Sequence, residues 1–515
     1  MSQELQSKKL GTTPIGKLIF SMSGPAILSM LVQALYNIVD SIFIGMYDPT
    51  NGVLALSYAL PIQLFVNAFG VGLAVGTGSM ISRLLGEGKN KEAGLTAQTG
   101  LFLALIVSAV FAIIGYFVAN AFVGIYTKDP VIFKMSADYL TICTCCSFGM
   151  MVELMFNRIL QSMGNMVVPM ITQIVGAVVN IILDPIFISV AGLGAVGAAV
   201  ATIIGQIAAM CVPIFIIIKN KKKFDIDIFF TKEFKVKKNI LGGILQVGLP
   251  TIVMNSIGSV MYMVANTLLN RFTTPIVDND QTKPFAVGVW AFGIYFKLNS
   301  FAFMPCFGLN QGCIPIMGYN YGANIKNRFD KTFRMANFIA LGYMIFATIL
   351  FHAMPTAFLK LFSAPNDAVV LFEGARALRL CSLAFIPASI SVITIAMFNA
   401  VGHGVKAMLM SILRQIGILI PLAIVLSQFT KLGMVGFWIS FPIAEAVSLA
   451  IFFPIALHTI KKIFAKKDLE MPASAMEGIL PTPALDQEET EVENQADLDT
   501  DEALDNQTVV NEEIA

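Results

Sequence analysis

The sequence predicts an all-α integral membrane protein whose twelve transmembrane helices form two six-helix lobes related by an internal repeat. Three observations predict this fold: an apolar composition, twelve apolar runs of spanning length, and motifs that recur at nearly one offset. Of the 515 residues, 56% are hydrophobic and 13% are charged, whereas soluble domains carry about 25% charged residues. Such a composition is typical of a chain that lies in a lipid bilayer.

The apolar runs are each long enough to cross a bilayer as a helix, which takes about 20 residues. They are continuously apolar rather than alternating, so a transmembrane β-barrel is excluded. The predicted spans are 17–46, 53–81, 94–124, 132–157, 166–189, 194–218, 240–270, 285–317, 333–359, 371–398, 407–429 and 433–458.

The internal repeat consists of four short motifs that return in the same order in the second half. The pairs are Gly24-Pro25 with Leu249-Pro250, Gly76 and Gly86 with Gly312 and Gly322, 161–165 with 399–403, and 193–197 with 432–436. The last three pairs are offset by 236, 238 and 239 residues. Each half holds six spans, so the two lobes have the same orientation in the membrane, an arrangement found in transporters that work by alternating access.

Charge and composition divide the chain further. We predict a cytoplasmic N-terminus (1–16), an N-terminal six-helix lobe (17–218), a cytoplasmic linker (219–239), a C-terminal six-helix lobe (240–460) and an acidic cytoplasmic tail (461–515). From Asp468 to Ala515 the tail has fifteen acidic residues and no basic one. A segment of this composition cannot bury a core, and we expect it to be disordered.

Basic residues predict the orientation, because Lys and Arg are retained on the cytoplasmic side of a membrane. One set of span ends carries 25 Lys and Arg residues, and the opposite set carries 8. Both termini are therefore predicted to lie in the cytoplasm, in a multi-pass protein of the inner (plasma) membrane.

Several sequence patterns typical of soluble enzymes are present but lack residues that those motifs need. Residues 11–18 are one residue short of a P-loop and lack its Mg²⁺-binding Ser or Thr. Residues 192–197 match the dinucleotide fingerprint, but no acid follows about 20 residues later. The three histidines and seven cysteines have no ligand or catalytic spacing. We predict no enzyme activity, no cofactor, no metal centre and no nucleic-acid partner, but a monomer that uses an ion gradient.

Two acids inside apolar runs of the first half are the candidate functional residues. A carboxylate at bilayer depth costs at least ~2.5–3.5 kcal/mol, so it normally faces a polar interior. Asn180 and Asp184 share one helix face because they are four residues apart. Pro185 follows and frees backbone carbonyls beside the acid. The second acid is Asp40, with Tyr36 and Asn37 one turn earlier on its helix.

Two charges of opposite sign lie inside apolar runs of the second half. They are Lys297 and Glu445. Because a buried charge usually finds an opposite one, we predict that these two residues pair, with Arg414 as a further participant. Their predicted role is structural or gating.

The chain resembles the multidrug and toxin extrusion (MATE) family, most closely its MepA-type bacterial branch, over residues 14–460. The motifs that carry the resemblance are Gly24-Pro25, Ile-Ser-Arg-Leu-Leu-Gly at 81–86, Asn-Ile-Ile-Leu-Asp-Pro at 180–185 and Gly-Ala-Val-Gly-Ala-Ala at 194–199. The resemblance implies two lobes arranged as a V, and export of lipophilic, often cationic compounds in exchange for Na⁺ or H⁺. It also implies a coupling site in the first lobe, at the matching positions Asp40, Tyr139, Asn180, Asp184 and Thr202.

One departure from the family concerns the second lobe. The NorM-type branch places acids on spans 7 and 10, whereas span 7 here offers only asparagines and span 10 has Glu373 merely at its entrance. A second-lobe cation site of that type is therefore not expected.

The predicted function is that of a secondary antiporter that exports amphipathic, mainly cationic compounds by alternating access. Its predicted coupling ion is H⁺ or Na⁺, with Asp40, Asn180 and Asp184 as the candidate Na⁺ ligands. The alternative function is a flippase for a lipid-linked precursor. The alternative role of Asp184 is to cap the carbonyls freed by Pro185, and that of Asp40 is a fixed structural anion.

Overall fold

The computed structural model describes residues 6–47, 51–126, 129–220, 224, 226–232, 234–278, 281–285, 287–361 and 368–470. The helices of the first half are α1 (Ile15–Tyr47), α2 (Asn51–Gly86), α3 (Asn90–Tyr126), α4 (Pro130–Cys145), α5 (Phe148–Ser162), α6 (Val167–Pro185) and α7 (Gly194–Lys219). Those of the second half are α8 (Lys238–Leu269), α9 (Val287–Gly322), α10 (Lys326–Ala353), α11 (Pro355–Leu361), α12 (Ala368–Ser382), α13 (Phe385–Ala400), α14 (Gly404–Ile412), α15 (Ile420–Ile424) and α16 (Met434–Glu470).

Ten helices in the described ranges are long and apolar enough to cross a membrane, and two bent pairs bring the number to twelve. The first pair is α4 with α5 and the second is α12 with α13, and each pair bends by 44°. These pairs correspond to the predicted fourth and tenth spans, which occupy the same place in the two halves. The helical membrane fold is confirmed, and the bends are a feature that the apolar runs did not predict.

Two of the predicted boundaries differ most from the structure. The ninth span was predicted at 333–359, but α10 ends at Ala353 because Pro355 begins a separate short helix. The last helix continues to Glu470, so the first residues of the segment expected to be disordered are helical. Residues 471–515 of the predicted tail lie outside the described residues.

An antiparallel β-hairpin connects α8 to α9, which the sequence analysis did not predict. Its strands are β1 (Thr274–Asp278) and β2 (Gln281–Phe285), with Thr274 opposite Phe285. The spanning part of the protein is nevertheless helical throughout the described residues.

The internal repeat extends to single backbone angles. Gly164 and Gly402 have φ of 85° and 83°, and Gly194 and Gly433 have φ of 53° and 54°. Each pair belongs to one of the repeated motifs, at offsets of 238 and 239. A positive φ strongly favours glycine. Because the same turn precedes the next helix in both halves, glycine recurs at the same position.

π-helical turns also recur at the same offset. Ile186–Val190 follows α6, and Val425–Phe429 lies 239 residues later in the second half. A Cβ at Gly197 would lie 2.5 Å from the Phe187 carbonyl oxygen, and one at Gly436 would overlap the Leu426 carbonyl. The helix that follows each π turn therefore packs directly on its backbone in both halves.

The two halves meet at glycines near the ends of α2 and α9. The backbone of Gly86 lies against the carbonyl of Tyr319, and the backbone of Gly322 lies against the carbonyl of Arg83. A Cβ at either glycine would overlap that oxygen. Arg83 and Tyr319 are offset by 236 residues, as are Gly86 and Gly322, so exchanging the halves exchanges the two contacts. The repeat motifs thus form a symmetric interface.

The N-terminal segment, residues 6–13, is bound to the second half at the same end, and we call it the N-terminal clasp. Asn320 Nδ2 donates to the carbonyl of Leu10 at 3.1 Å. Arg328 Nη2 donates to the carbonyls of Leu10 at 3.3 Å and Thr13 at 2.6 Å. Leu10 and Asn320 are fully buried, so these hydrogen bonds satisfy backbone groups that water cannot reach.

The outer faces of the helices carry large apolar side chains. Phe117, Phe338 and Phe429 are 72%, 82% and 79% exposed. In a membrane protein such surfaces contact lipid rather than water, so exposure of this kind needs no protein partner.

Candidate ion and substrate sites

Asn180 and Asp184 lie together on the buried face of α6. Asn180 Nδ2 donates a hydrogen bond to Asp184 Oδ1 at 3.1 Å, which the four-residue helical spacing makes possible. Asp184 is 0% exposed. Asp184 Oδ2 and Asn180 Oδ1 are buried and accept no hydrogen bond from the described residues. Two buried acceptor oxygens at this depth suit a proton or a small cation.

The backbone beside this pair is irregular for a local reason. Pro185 ends α6 directly after the acid, and the π turn Ile186–Val190 begins at the next residue. Proline removes a backbone donor, and π turns are frequent at functional sites. The sequence Asp-Pro therefore places a carboxylate beside an interrupted helix ladder.

The predicted partners on α1 fall partly outside the structure. The side chains of Tyr36, Asn37 and Asp40 are not among those described. The helix that carries them, α1, packs against α6. The pairing of Asp40 with Asp184 therefore stays a prediction, made on two helices that are in contact.

Thr202 and Asn180 line one small polar cavity of about 40 Å³. The other polar lining residues are Glu153, Gln173 and Gln206. A cavity of this size holds a water molecule or a small ion. The structure thus brings together two of the predicted residues, through α6 and α7.

Tyr139 belongs to a different environment. It is buried with Ala195 and Ala198 in an apolar cluster, and its hydroxyl accepts a hydrogen bond from Gln63 Nε2 at 3.1 Å. The structure does not place it among the residues that line the small cavity.

Glu153 is an acid that the sequence analysis overlooked. It is 5% exposed on α5. Its Oε1 accepts hydrogen bonds from Asn157 Nδ2 at 3.1 Å and from Gln173 Nε2 at 2.5 Å. The predicted span ended at 157, whereas α5 continues to Ser162. An acid inside an apolar run was the signal that could have identified it.

A second, larger cavity of about 510 Å³ lies between the two halves. Helices α1, α2 and α5 of the first half contribute to its wall, together with most helices of the second half. Its aromatic lining residues are Tyr295, Phe296, Phe303, Phe307, Phe385 and Phe441, and its amides are Asn255, Asn299, Asn310, Gln311, Asn399 and Gln415. Aromatic walls with scattered amides are typical of sites for small amphipathic molecules.

One face of α9 lines this cavity along much of the helix. The lining residues recur every three or four positions from Tyr295 to Ile314, which is about 28 Å at 1.5 Å per residue. The cavity therefore extends through most of the depth of a bilayer.

Arg414 and Glu445 form an ion pair at the wall of the large cavity, with 2.9 Å between Nη1 and Oε1. Arg414 lies in the π turn Leu413–Leu419. Of the two partners predicted for Glu445, the structure therefore pairs it with Arg414. The side chain of Lys297 is exposed. Residues 31 apart in sequence meet here because α16 packs beside the span that contains the π turn.

Arg158 is the third charged residue that lines the large cavity among the described residues. Its Nη1 atom is buried and donates to no described atom. In the sequence, Arg158 is one of the basic residues at the predicted span ends. Only the tertiary structure shows that this residue lies near the end of α5 and faces the other half.

The small and large cavities are lined by different residues. Asn180 and Thr202 line the small one, and neither they nor Asp184 are among the residues that line the large one. A site for an ion and a site for an organic molecule are therefore separate in the described structure.

Comparison with known proteins gives consistent results. The sequence pattern of the MatE family matches residues 25–186 and 282–425. The chain is 27% identical to the multidrug export protein MepA of Staphylococcus haemolyticus (strain JCSC1435), over 86% of this chain and 94% of that protein. It is 26% identical to MepA of Staphylococcus saprophyticus, over 84% and 91%.

A solved structure shares the fold. It is described as the outward-facing conformation of a multidrug resistance MATE family transporter of the MOP superfamily, with a TM-score of 0.81 and 24% identity over 88% of this chain and 98% of that chain. Since the family pattern covers more than half of the sequence, this multi-pass membrane protein belongs to the MatE family of multidrug efflux transporters.

Proposed function

We propose that the protein is a secondary antiporter that exports amphipathic, mainly cationic compounds in exchange for H⁺ or Na⁺. The observation that carries this proposal is the large cavity of about 510 Å³ between the two repeat-related halves. Its aromatic faces attract organic cations through their quadrupoles. Its methionines, among them Met30, Met254 and Met261, adapt to ligands of different shape. The protein works as a monomer surrounded by lipid.

The coupling ion binds at Asp184 and Asn180, with Asp40 as the partner acid on α1. The unsatisfied oxygens of Asp184 and Asn180 support this assignment. Because this pair does not line the large cavity, ion and substrate do not compete for one set of ligands. Coupling then requires that the ion and the substrate favour different conformations, and linkage makes that effect reciprocal.

The conformation described here fits the outward-facing state of this cycle. The glycine contacts and the N-terminal clasp close the halves at the ends that the basic residues predict to be cytoplasmic. Return to the inward-facing state requires these contacts to separate. Both termini lie in the cytoplasm in this scheme.

The decisive experiment is efflux of a fluorescent cation from proteoliposomes in which ΔpH and ΔNa⁺ are imposed separately. We expect one of the two gradients to drive export and an ionophore that dissipates it to abolish export. Equal export without any gradient would contradict antiport. Export that requires ATP inside the vesicle would contradict a secondary transporter.

A flippase for an anionic lipid-linked precursor is the second candidate, and one observation favours it. Among the described residues, two arginines, Arg158 and Arg414, and one acid, Glu445, line the large cavity. The same vesicles containing a fluorescent phospholipid test this candidate, through the fraction that an impermeant quencher can reach. Movement of lipid but not of the dye would favour the flippase.

A further inference from the structure

Arg158 is a cation in the wall of the large cavity for which the described structure provides no anionic partner. The only acid among the described lining residues is Glu445, and Arg414 already holds it at 2.9 Å. Arg158 Nη1 is buried without a hydrogen-bond acceptor. A charged donor that is buried without an acceptor is costly, so a guanidinium in this position normally has an anion to bind.

The local packing holds this side chain at the cavity. Its stem lies against Gly78 of α2, where a Cβ would be only 2.6 Å from Arg158 Cγ. Glycine at 78 therefore makes room for the arginine stem beside α2. The corresponding position of the second half, 238 residues later, is Ala396. The cation is thus a feature of one half only, and the repeat does not require it.

Asn399 lies in the same wall and also has an unsatisfied atom. Its Oδ1 is buried and accepts no hydrogen bond from the described residues. The cavity therefore offers a cationic donor and a neutral acceptor that the protein leaves unused. The remaining wall is mostly aromatic and aliphatic.

We propose that Arg158 binds a carboxylate of the transported compound, so that the preferred substrates are amphipathic molecules that carry an acidic group in addition to a cationic body. A guanidinium presents a planar fork of donors that matches a carboxylate bidentately. The aromatic wall receives the rest of the molecule. This inference rests on the proposed function, because it assigns a substrate class to the same cavity.

The experiment compares a xanthene dye that carries a free carboxylate with its ethyl ester, which lacks the negative charge and differs little otherwise. Binding of each dye to the purified full-length protein in phosphatidylcholine nanodiscs is measured by fluorescence polarisation. We expect the wild type to bind the acid at least about ten-fold more tightly than the ester, the effect of one charge-assisted hydrogen-bonded pair.

Arg158→Gln should reduce this ratio to about one while leaving ester affinity within about two-fold, since only the charged contact is lost. Arg158→Lys keeps the charge without the planar fork and should keep part of the preference. Arg158→Lys also tests the inference if the glutamine variant does not fold. Arg334→Gln, at an exposed position outside the cavity, is the matched control and should keep the wild-type ratio.

Equal affinity of the wild type for both dyes would overturn the inference, as would an unchanged ratio in Arg158→Gln. Part of the phosphatidylcholine is then replaced by phosphatidylglycerol. If this abolishes the preference, a lipid phosphate occupies Arg158 and the inference is wrong. Gradient-driven efflux of the ester tests antiport separately. Export of the ester without preference for the acid contradicts only this inference, and intact preference without export contradicts only the proposed function.

Discussion

At the scale of single residues, Asp184 differs from the other carboxylates that the structure describes, because it combines complete burial with an unsatisfied oxygen. Glu445 is neutralised by Arg414, and Oε1 of Glu153 accepts hydrogen bonds from two amides. Among the described residues, Asp184 accepts a hydrogen bond on one oxygen only, from the Asn180 amide. Binding of a proton or a cation therefore stabilises this carboxylate more than one that already has partners on both oxygens.

Asp184→Asn retains the side-chain volume and removes the charge. We expect gradient-driven export to fall at least about ten-fold, a typical coupling magnitude. Substrate affinity should persist because Asp184 does not line the large cavity. Efflux from vesicles, dye binding and membrane yield are measured together.

The matched control is Asp138→Asn, an exposed acid on α4, which should behave as wild type. If Asp184 only caps the carbonyls freed by Pro185, the asparagine variant would lose folded yield together with export. Full gradient-driven export by Asp184→Asn would show that coupling lies elsewhere.

Glu153 gives a prediction about stability. Glu153→Gln keeps an acceptor oxygen for Asn157 Nδ2 and Gln173 Nε2, whereas Glu153→Leu leaves both donors without this acceptor. We expect the leucine variant to lose about 1–3 kcal/mol of stability, and the glutamine variant to stay close to wild type. Thermal unfolding in detergent compares them. A leucine variant as stable as wild type would mean that water reaches these amides.

At the scale of secondary-structure elements, helix irregularities recur together with the glycines that pack on them. The π turns Ile186–Val190 and Val425–Phe429 each receive the backbone of the next helix. The bent pairs α4–α5 and α12–α13 share one angle of 44°. These interruptions lie at matching places in the two halves, whereas the π turn Leu413–Leu419 has no counterpart among the described residues of the first half.

Gly322→Ala tests the interface between α9 and α2. The new Cβ would overlap the backbone carbonyl of Arg83, so closure at this end should weaken by about 1–3 kcal/mol, the usual cost of overpacking. Cys313 is fully buried and follows Gly312, whose backbone lies against Ser23 of α1. Its rate of reaction with a thiol reagent, resolved by peptide mass spectrometry, should rise as the halves separate.

Gly342→Ala is the control on α10, because nothing lies within 4 Å of a Cβ at that position. It should leave the reactivity of Cys313 unchanged and gain up to about 1 kcal/mol of helix propensity. Equal reactivity in both variants would show that this contact does not hold the halves closed.

The sequence predicted those features that depend on neighbours along one helix. Twelve apolar runs correspond to twelve spans, and the Asn180–Asp184 hydrogen bond follows from a four-residue spacing. Contacts between helices were less predictable. Glu153 meets Gln173 twenty residues later on another helix, and Arg414 meets Glu445 across two segments. Their partners depend on helix rotation, which an almost uniformly apolar sequence does not specify.

At the scale of the whole molecule, the two halves share an architecture but differ in chemistry. The first half holds the small polar cavity with Asn180 and Thr202, and the second half supplies most of the wall of the large one. Repeat symmetry therefore accounts for the matching architecture of the two halves, and local departures from it separate the two candidate sites.

The proposed orientation predicts opposite labelling of two exposed lysine positions. Lys232→Cys lies in the linker between α7 and α8, and Lys431→Cys lies between a π turn and α16. On intact cells an impermeant maleimide should label only the second, because the basic residues place the linker in the cytoplasm. Wild-type protein sets the background from native cysteines. Labelling of Lys232→Cys from outside would reverse the orientation.

The N-terminal clasp has a consequence for biosynthesis. The carbonyls of Leu10 and Thr13 find their donor on Arg328, 318 and 315 residues further along the chain. At 5–20 residues per second, a ribosome needs roughly 15–60 s to supply that arginine. During this interval residues 6–13 lack the Arg328 donor, although the helices behind them have already entered the membrane. The N-terminal clasp is therefore among the last parts to reach its final position, because it can bind Arg328 only after the second half has been synthesised.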